Sequence, residues 1–457
     1  MLSKTHLKKG AFALLSTLLV LGSASSAMAA NPAKKPPAYA HEIKSLSGED
    51  SSDLEFLKPL LEGKTVVSLG ENFHRVAEYS SLKTKMIKYL HEELGFDVIA
   101  FESGLGDAEF INRQVEQLTP FEAMQYSVMP VWHSTETLEL FNYIKKTRST
   151  DNPLQLAGYD NQYTSPMLSY GISDFVSRVD KTYGEAFLKR DLEAITEFYE
   201  VLNEYGMPSD DPTYTKKMKA VIQRYVPMYE NYIQYIEEMR KRFEKASPND
   251  SVLIDVVLKS LHDRIRFIED GLISDVQKSY ESRDREMAEH VEWLTKVRYP
   301  GKKIILWAHN DHLAKNTSQI SVLENDKWGN SFTSMGELLH KKLKDQVYVL
   351  GFYMNSGKTV SITTMKEFSV GPMPKGSLEH TVMQMGYKNT FIDLSGQKKE
   401  DEANRWMWRP IYAAEDGMTR EVILPNSMKF IPREQFDGLV VIDQIHAPTL
   451  IEEVAQE

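Results

Sequence analysis

Residues 65–102 read TVVSLGENFHRVAEYSSLKTKMIKYLHEELGFDVIAFE, and two short apolar runs bracket this stretch. Thr65–Leu69 ends in Gly70-Glu71, and Asp97–Phe101 ends in Glu102. Their length and β-branched content suit buried strands. Between them Leu82, Met86, Ile87 and Leu90 share one stripe of a helix expected over Ala77–Leu94, with Gly95 placed to cap its C-terminus. A strand, a helix and a strand at this spacing form a right-handed crossover between two parallel strands.

The same signature recurs further along the chain. Leu154–Gly158 leads to Asp160, and Lys303–Ala308 ends in His309-Asn310. Gln346–Phe352, Thr390–Leu394 and Gly438–Asp443 read as additional strands. Residues 171–296 differ: they are charged, helical in pattern and too long for a loop. The expected fold is therefore α/β, a mostly parallel central sheet flanked by helices. Residues 30–170 and 297–457 form its two halves, and 171–296 are a helical insertion making a lid over the cleft. Within the insertion Tyr225, Tyr229, Tyr232 and Tyr235 recur every three or four residues. Packing inside a bundle accounts for that stripe; an aromatic wall facing a substrate would use the same spacing.

Composition narrows the chemistry. The chain has 457 residues and no cysteine, which removes disulfides, thiolate nucleophiles and Cys-ligated metal centres. Its net charge of −11 argues against binding nucleic acid or an anionic membrane through bulk charge. Lys4, Lys8 and Lys9 precede the apolar run Ala11–Leu21, and Ala27-Met28-Ala29 fits a small-x-small cleavage site. Residues 1–29 are thus expected to be a signal peptide, and the mature protein to be secreted, extracellular and free of the membrane. Oligomeric state is not readable from these features.

In a parallel α/β sheet, ligands bind outside the C-terminal ends of the strands. Glu71, His74, Glu102, Asp160, His309, Asn310 and His312 follow or end the four strands named above, so the topology would gather them. A strand-end acid can simply cap a helix, and a lone histidine is usually structural; only the convergence is informative. His74 precedes a helix N-terminus, whose dipole lowers an imidazole pKa and favours a neutral base. Glu71 or Glu102 could then hold its tautomer. His133, after Pro130-Val131-Trp132, could line the cleft, and Arg283 could clamp an oxyanion or a substrate carboxylate. Trp406, Trp408 and Arg409 read as buried packing or a rim. Two chemistries suit this set. In one, which needs no cofactor, His74 activates water and His309 with an Arg or Lys stabilises the oxyanion. In the other, a His/carboxylate site holds a divalent metal whose ligands stay unassigned. A non-catalytic haem- or metal-binding protein is the reading from another class. There is no H-E-x-x-H (His91-Glu92-Glu93-Leu94-Gly95 starts like one and fails), no G-x-S-x-G, no Walker A and no G-x-G-x-x-G.

Gly70-Glu71-Asn72-Phe73-His74, the helix after it, Leu94-Gly95-Phe96 and Glu102 resemble the N-terminal signature of the erythromycin esterase family. Arg283-Asp284-Arg285-Glu286-Met287-Ala288 resembles that family's RDxxMA helix. Trp307-Ala308-His309-Asn310-Asp311-His312 and Phe436-Asp437-Gly438 resemble its later motifs, so the likeness runs in order over residues 65–445. It implies an α/β hydrolase that opens a carboxylic ester or lactone, macrolide antibiotics among them, with water rather than a covalent nucleophile. By the same resemblance His74 matches the base, Glu71 and Glu102 the glutamates, and His309 and His312 the later histidine pair. The chain departs from the pattern Gly-Glu-x-Thr-His-Gly at Phe73 and Arg75, and Lys83 stands where an arginine is common. Lysine keeps the charge and loses the bidentate fork. These departures bear on macrolide specificity more than on hydrolysis.

Overall fold

Thirteen strands build two sheets in the computed structural model, which describes residues 35–206, 208–248, 250, 252–416 and 421–451. The expected signal peptide, residues 1–29, lies outside the described residues. In chain order the strands are β1 (Ala40–Glu42), β2 (Val66–Leu69), β3 (Val98–Gly104), β4 (Gln155–Asp160), β5 (Ile304–Trp307), β6 (Ser321–Glu324), β7 (Lys327–Asn330), β8 (Val347–Val360), β9 (Glu367–Val370), β10 (Asn389–Asp393), β11 (Ile411–Glu415), β12 (Leu424–Phe430) and β13 (Gly438–Ile445).

The main sheet runs β1-β10-β13-β8-β2-β5-β3-β4, with β9 paired to β8. From β13 to β4 the neighbours are parallel; β10, β1 and β9 join antiparallel. This is the mostly parallel sheet expected from the alternation of apolar runs and helices. Its strands are buried on both faces, which is why they read as continuous apolar stretches. β5 slots between β2 and β3, so a strand late in the chain enters the middle of the first β–α–β unit. Helix Ala77–Leu94 connects β2 to β3 and ends at Gly95, whose φ of 67° is the left-handed cap a glycine adopts freely.

β3 extends beyond the expected Asp97–Phe101, and Glu102 lies within the strand rather than after it. The pairing of β3 with β4 shifts between Phe101 and Gly104. A bulge of this kind re-aims side chains near a functional site. Gly70, just after β2, packs so tightly that a Cβ there would overlap the Asn310 side chain. The loops after β2 and β5 touch at this point.

Among the described residues six α-helices separate β4 from β5: Met167–Ser177, Lys181–Tyr205, Pro212–Glu238, Arg240–Ala246, Val252–Asp270 and Val276–Trp293. All but the last contribute to an apolar core of their own. Tyr225, Tyr229 and Tyr232 are buried there, and their hydroxyls donate to Glu197, Asp191 and the Tyr183 carbonyl. The tyrosine stripe is bundle packing. Helix Val276–Trp293 instead packs its Met287, Ala288 and Val291 against the main sheet. The second sheet, β11-β12-β6-β7, is antiparallel throughout and was not anticipated from the sequence. Among the described residues no helix is long and apolar enough to cross a membrane.

Two buried charges make the fold testable. Arg264 faces Asp191 at 3.3 Å inside the helical core, where Asp191 also accepts from Ser169 and Tyr229. Arg264→Met leaves that carboxylate buried without a counter-charge, and urea melts should show a loss of about 3–5 kcal/mol. Asp107 is enclosed after β3, where Ser165 donates to it through both its N–H and its hydroxyl. Burial pushes its carboxyl up to about 6, against the pull of Arg264 and Ser165. A folded-state pKa above the unfolded 3.8 means this contribution is fully present below 3.8 and lost as pH rises through about 6. Asp107→Asn should therefore flatten the melting temperature against pH between about pH 4 and 7.

Candidate active site

Because β2, β5, β3 and β4 lie side by side and parallel, their C-terminal ends present Glu71, His309, Glu102 and Asp160 along one edge. The loop after β2 carries a buried knot centred on the Glu71 carboxylate. Oε1 accepts from Trp132 Nε1 at 2.6 Å and lies 2.8 Å from His74 Nδ1; Oε2 accepts from Lys83 Nζ at 2.5 Å. An ionised carboxylate only accepts, so His74 Nδ1 carries its proton and Nε2 keeps a free lone pair. Among the described residues no hydrogen-bond partner meets that Nε2, and the side chain is 17% exposed. Trp132 and His309 set their rings edge-on to His74, each 5.2 Å away.

Burial lowers the His74 pKa, against the raising effect of Glu71, so the ring is kept neutral. Desolvation does this; the helix dipole invoked from the sequence is secondary, since the helix begins three residues later at Ala77. Burial also pulls Lys83 down to about 8, opposed by Glu71. The Lys83 ammonium sits 4.6 Å over the Trp307 ring and is wholly enclosed. It neutralises Glu71 and does not reach the cavity.

Arg283, on helix Val276–Trp293, makes the second knot. Its guanidinium grips Asp160 through Nε, 3.1 Å from Oδ1, and Nη2, 2.5 Å from Oδ2, and it binds Glu102 through Nη2 at 2.6 Å. Glu102 Oε2 accepts from the His309 backbone N–H at 3.0 Å. Burial would raise the Glu102 carboxyl, but the charges of His312 and Arg283 hold it well below the usual carboxylate range. His312 Nδ1 donates to Asp284 Oδ2 at 2.8 Å, and its Nε2 lies 3.3 Å from Glu102 Oε1 and 3.2 Å from Arg283 Nη1; against the lowering effect of burial, the two acids raise its pKa.

The two knots flank a cavity of about 280 Å³. Of the residues expected at the site, His74, Glu102, Arg283, His309 and His312 line it. Glu71 and Asp160 stand behind that wall as partners of His74 and Arg283, and Lys83 as the partner of Glu71. His133 is not brought to the wall: its Nε2 binds the Val128 carbonyl at 2.9 Å. Trp406 and Trp408 are half-buried against the same apolar core as Met287 and Val291 and do not line the cavity. Tyr280, Asp311, Asp416 and Trp132 also line it, with Met129, Val131, Gln162 and Ile362, and were not singled out from the sequence. Tyr280 had a signal, lying three residues before Arg283 on one helix face. Glu415 and Asp416, facing His309, had none, because no pattern marks the end of β11.

A sequence model of the family described as Erythromycin esterase matches residues 91–445. The chain is 30% identical over 420 residues to the putative hydrolase YbfO of Bacillus subtilis, covering 89% of each chain. It is 21% identical over 365 residues to erythromycin esterase type II of Escherichia coli, covering 75% of this chain and 84% of that one. A crystal structure of a mutant of the erythromycin esterase EreC, in its open conformation, superposes with a TM-score of 0.59 at 18% identity, over 90% of this chain and 99% of that one. With the signature residues gathered around one cavity and the family match spanning most of its length, the chain belongs to the erythromycin esterase family of hydrolases.

Proposed function

We propose that this protein hydrolyses a carboxylic ester or lactone of a small molecule by His74-activated water, and that it does so outside the cytoplasm after removal of residues 1–29. The observation that carries the reading is the orientation of His74. Its Nδ1 is tied to a buried carboxylate, and its Nε2 is open at a cavity wall. This is the arrangement a general base needs: one nitrogen fixed in tautomer, the other free to take a proton.

In the reaction, water gives its proton to His74 Nε2 as its oxygen bonds to the acyl carbon. The carbonyl electrons move to oxygen, and Glu71 stabilises the imidazolium that forms. Arg283 at the cavity wall supplies positive charge for the oxyanion, and His309, beside His74, supplies an N–H. Collapse of the tetrahedral intermediate breaks the C–O bond, and His74 returns the proton to the leaving alcohol. In a lactone the acid and the alcohol stay joined, so the product is the substrate plus one water. Phe73 and Arg75 take positions where smaller residues are usual in the family signature, and both are buried. They favour a narrower choice of substrate than macrolides at large.

Mass spectrometry of a macrolide lactone incubated with the mature protein tests the substrate class, and an ester panel tests the reaction. On whichever substrate is cleaved, His74→Ala should lower kcat/KM by about 10²–10⁴-fold. A wild-type-like rate in that variant would overturn the assignment of the base. Glu71→Gln keeps the shape and removes the charge, so it should depress kcat more than it raises KM, since Glu71 does not line the cavity.

A further inference from the structure

We infer that His309, Glu415 and Asp416 form a binding site for one divalent transition-metal cation in the cavity wall beside His74. One donor atom from each of the three lies within 4.8 Å of the others. His309 Nε2 is 3.2 Å from Glu415 Oε1 and 3.5 Å from Asp416 Oδ1. Ligand atoms around a tetrahedral ion with bonds of about 2.0–2.1 Å stand roughly 3.3 Å apart. Both carboxylates thus already stand at ligand spacing from His309.

Their hydrogen bonding points the same way. Among the described residues, His309 Nε2 and both Glu415 oxygens are buried without a hydrogen-bond partner. Buried polar atoms in native proteins are almost always bonded, so unpartnered donors gathered this closely call for a ligand. The charge balance agrees. Glu71 is matched by Lys83, and Glu102 with Asp160 by Arg283. Among the described residues no lysine or arginine pairs with Glu415 or Asp416.

One imidazole and two carboxylates suit a borderline ion such as Zn²⁺ or Mn²⁺. Ligation through Nε2 requires the proton on Nδ1. That nitrogen now accepts from the Asp311 N–H at 3.2 Å; Asp311 Oδ2, 3.7 Å away, is the carboxylate that would orient it instead. His309 and Asp416 both line the cavity, so a further coordination position opens towards substrate and water. The site goes beyond the proposed hydrolysis and stands on its own donors. With an ion on Nε2, the ion would take the place of an N–H facing the oxyanion.

The test counts metal rather than turnover, so it separates this site from the ester assignment. Protein freed of metal with a chelator is dialysed against ZnCl₂ or MnCl₂, and bound ion is measured by plasma mass spectrometry alongside the melting temperature. The expected result is one ion per chain and a raised melting temperature. Glu415→Gln and Asp416→Asn should each weaken binding about a hundredfold or more. Glu286→Gln serves as the control. It alters the other His/carboxylate cluster, Asp263, Glu286 and His290, where Glu286 already pairs with Arg266 and His290 with Asp263. It should bind as wild type does. The proposal fails if wild type retains no ion, if both ligand variants bind like wild type, or if Glu286→Gln removes the ion. Should Glu415→Gln not fold, Asp416→Asn, altered at the cavity wall, decides the matter.

Discussion

The ion pair between Glu71 and Lys83 is the constraint on which the site depends. Neither side chain has contact with solvent, so neither charge is tolerable without the other. Glu71 belongs to the loop leaving β2 and Lys83 to the second turn of the helix that follows. Their pairing pins that loop against its own helix. Trp132 and His74 complete the carboxylate's coordination, and the direction of the His74 ring follows from it. A lysine suffices here because it serves as a point charge inside an enclosed space. The planar fork of an arginine is used instead at Arg283, which must bind Asp160 and Glu102 together.

Arg283 links the two layers of the molecule in the same manner. Five of the six helices between β4 and β5 pack chiefly on one another, while the last lies on the sheet and sends Arg283 to two strand-end acids. Its neighbour Asp284 holds His312, so consecutive residues of one helix orient two groups at the cavity. The cavity is therefore held from the sheet side by Glu71 and from the helix side by Arg283. Both anchors are buried charge pairs.

How much of this was readable along the chain depended on distance in sequence. The first β–α–β unit was legible because its signals are local: apolar runs of strand length, a helical stripe from Leu82 to Leu90, and a capping glycine at 95. The strand ends named Glu71, Glu102, Asp160 and His309 correctly as neighbours, because parallel topology forces them to one edge. Glu102 was misplaced by a residue or two at the strand end, since a bulge leaves no signature in composition. The antiparallel sheet went unseen. Its strands β6 and β7 are short and largely exposed, with Trp328 and Lys327 facing solvent, so no run of apolar residues announces them. With that sheet went Glu415 and Asp416.

The sequence by itself determined the alternation of strands and helices, the order of the family motifs and the set of residues able to do chemistry. These follow from periodic burial, which each segment encodes over a few turns of its own chain. Tertiary structure alone decided which of those residues line the cavity and which stand behind them. Trp132 reaches Glu71 from 61 residues away and Arg283 reaches Glu102 from 181. Such contacts are set by how sheet and helices pack, and a buried charge takes whatever counter-charge the packing brings near. Lys83 thus became the partner of Glu71 instead of a substrate contact, and Asp416 reached the cavity wall without any motif to mark it.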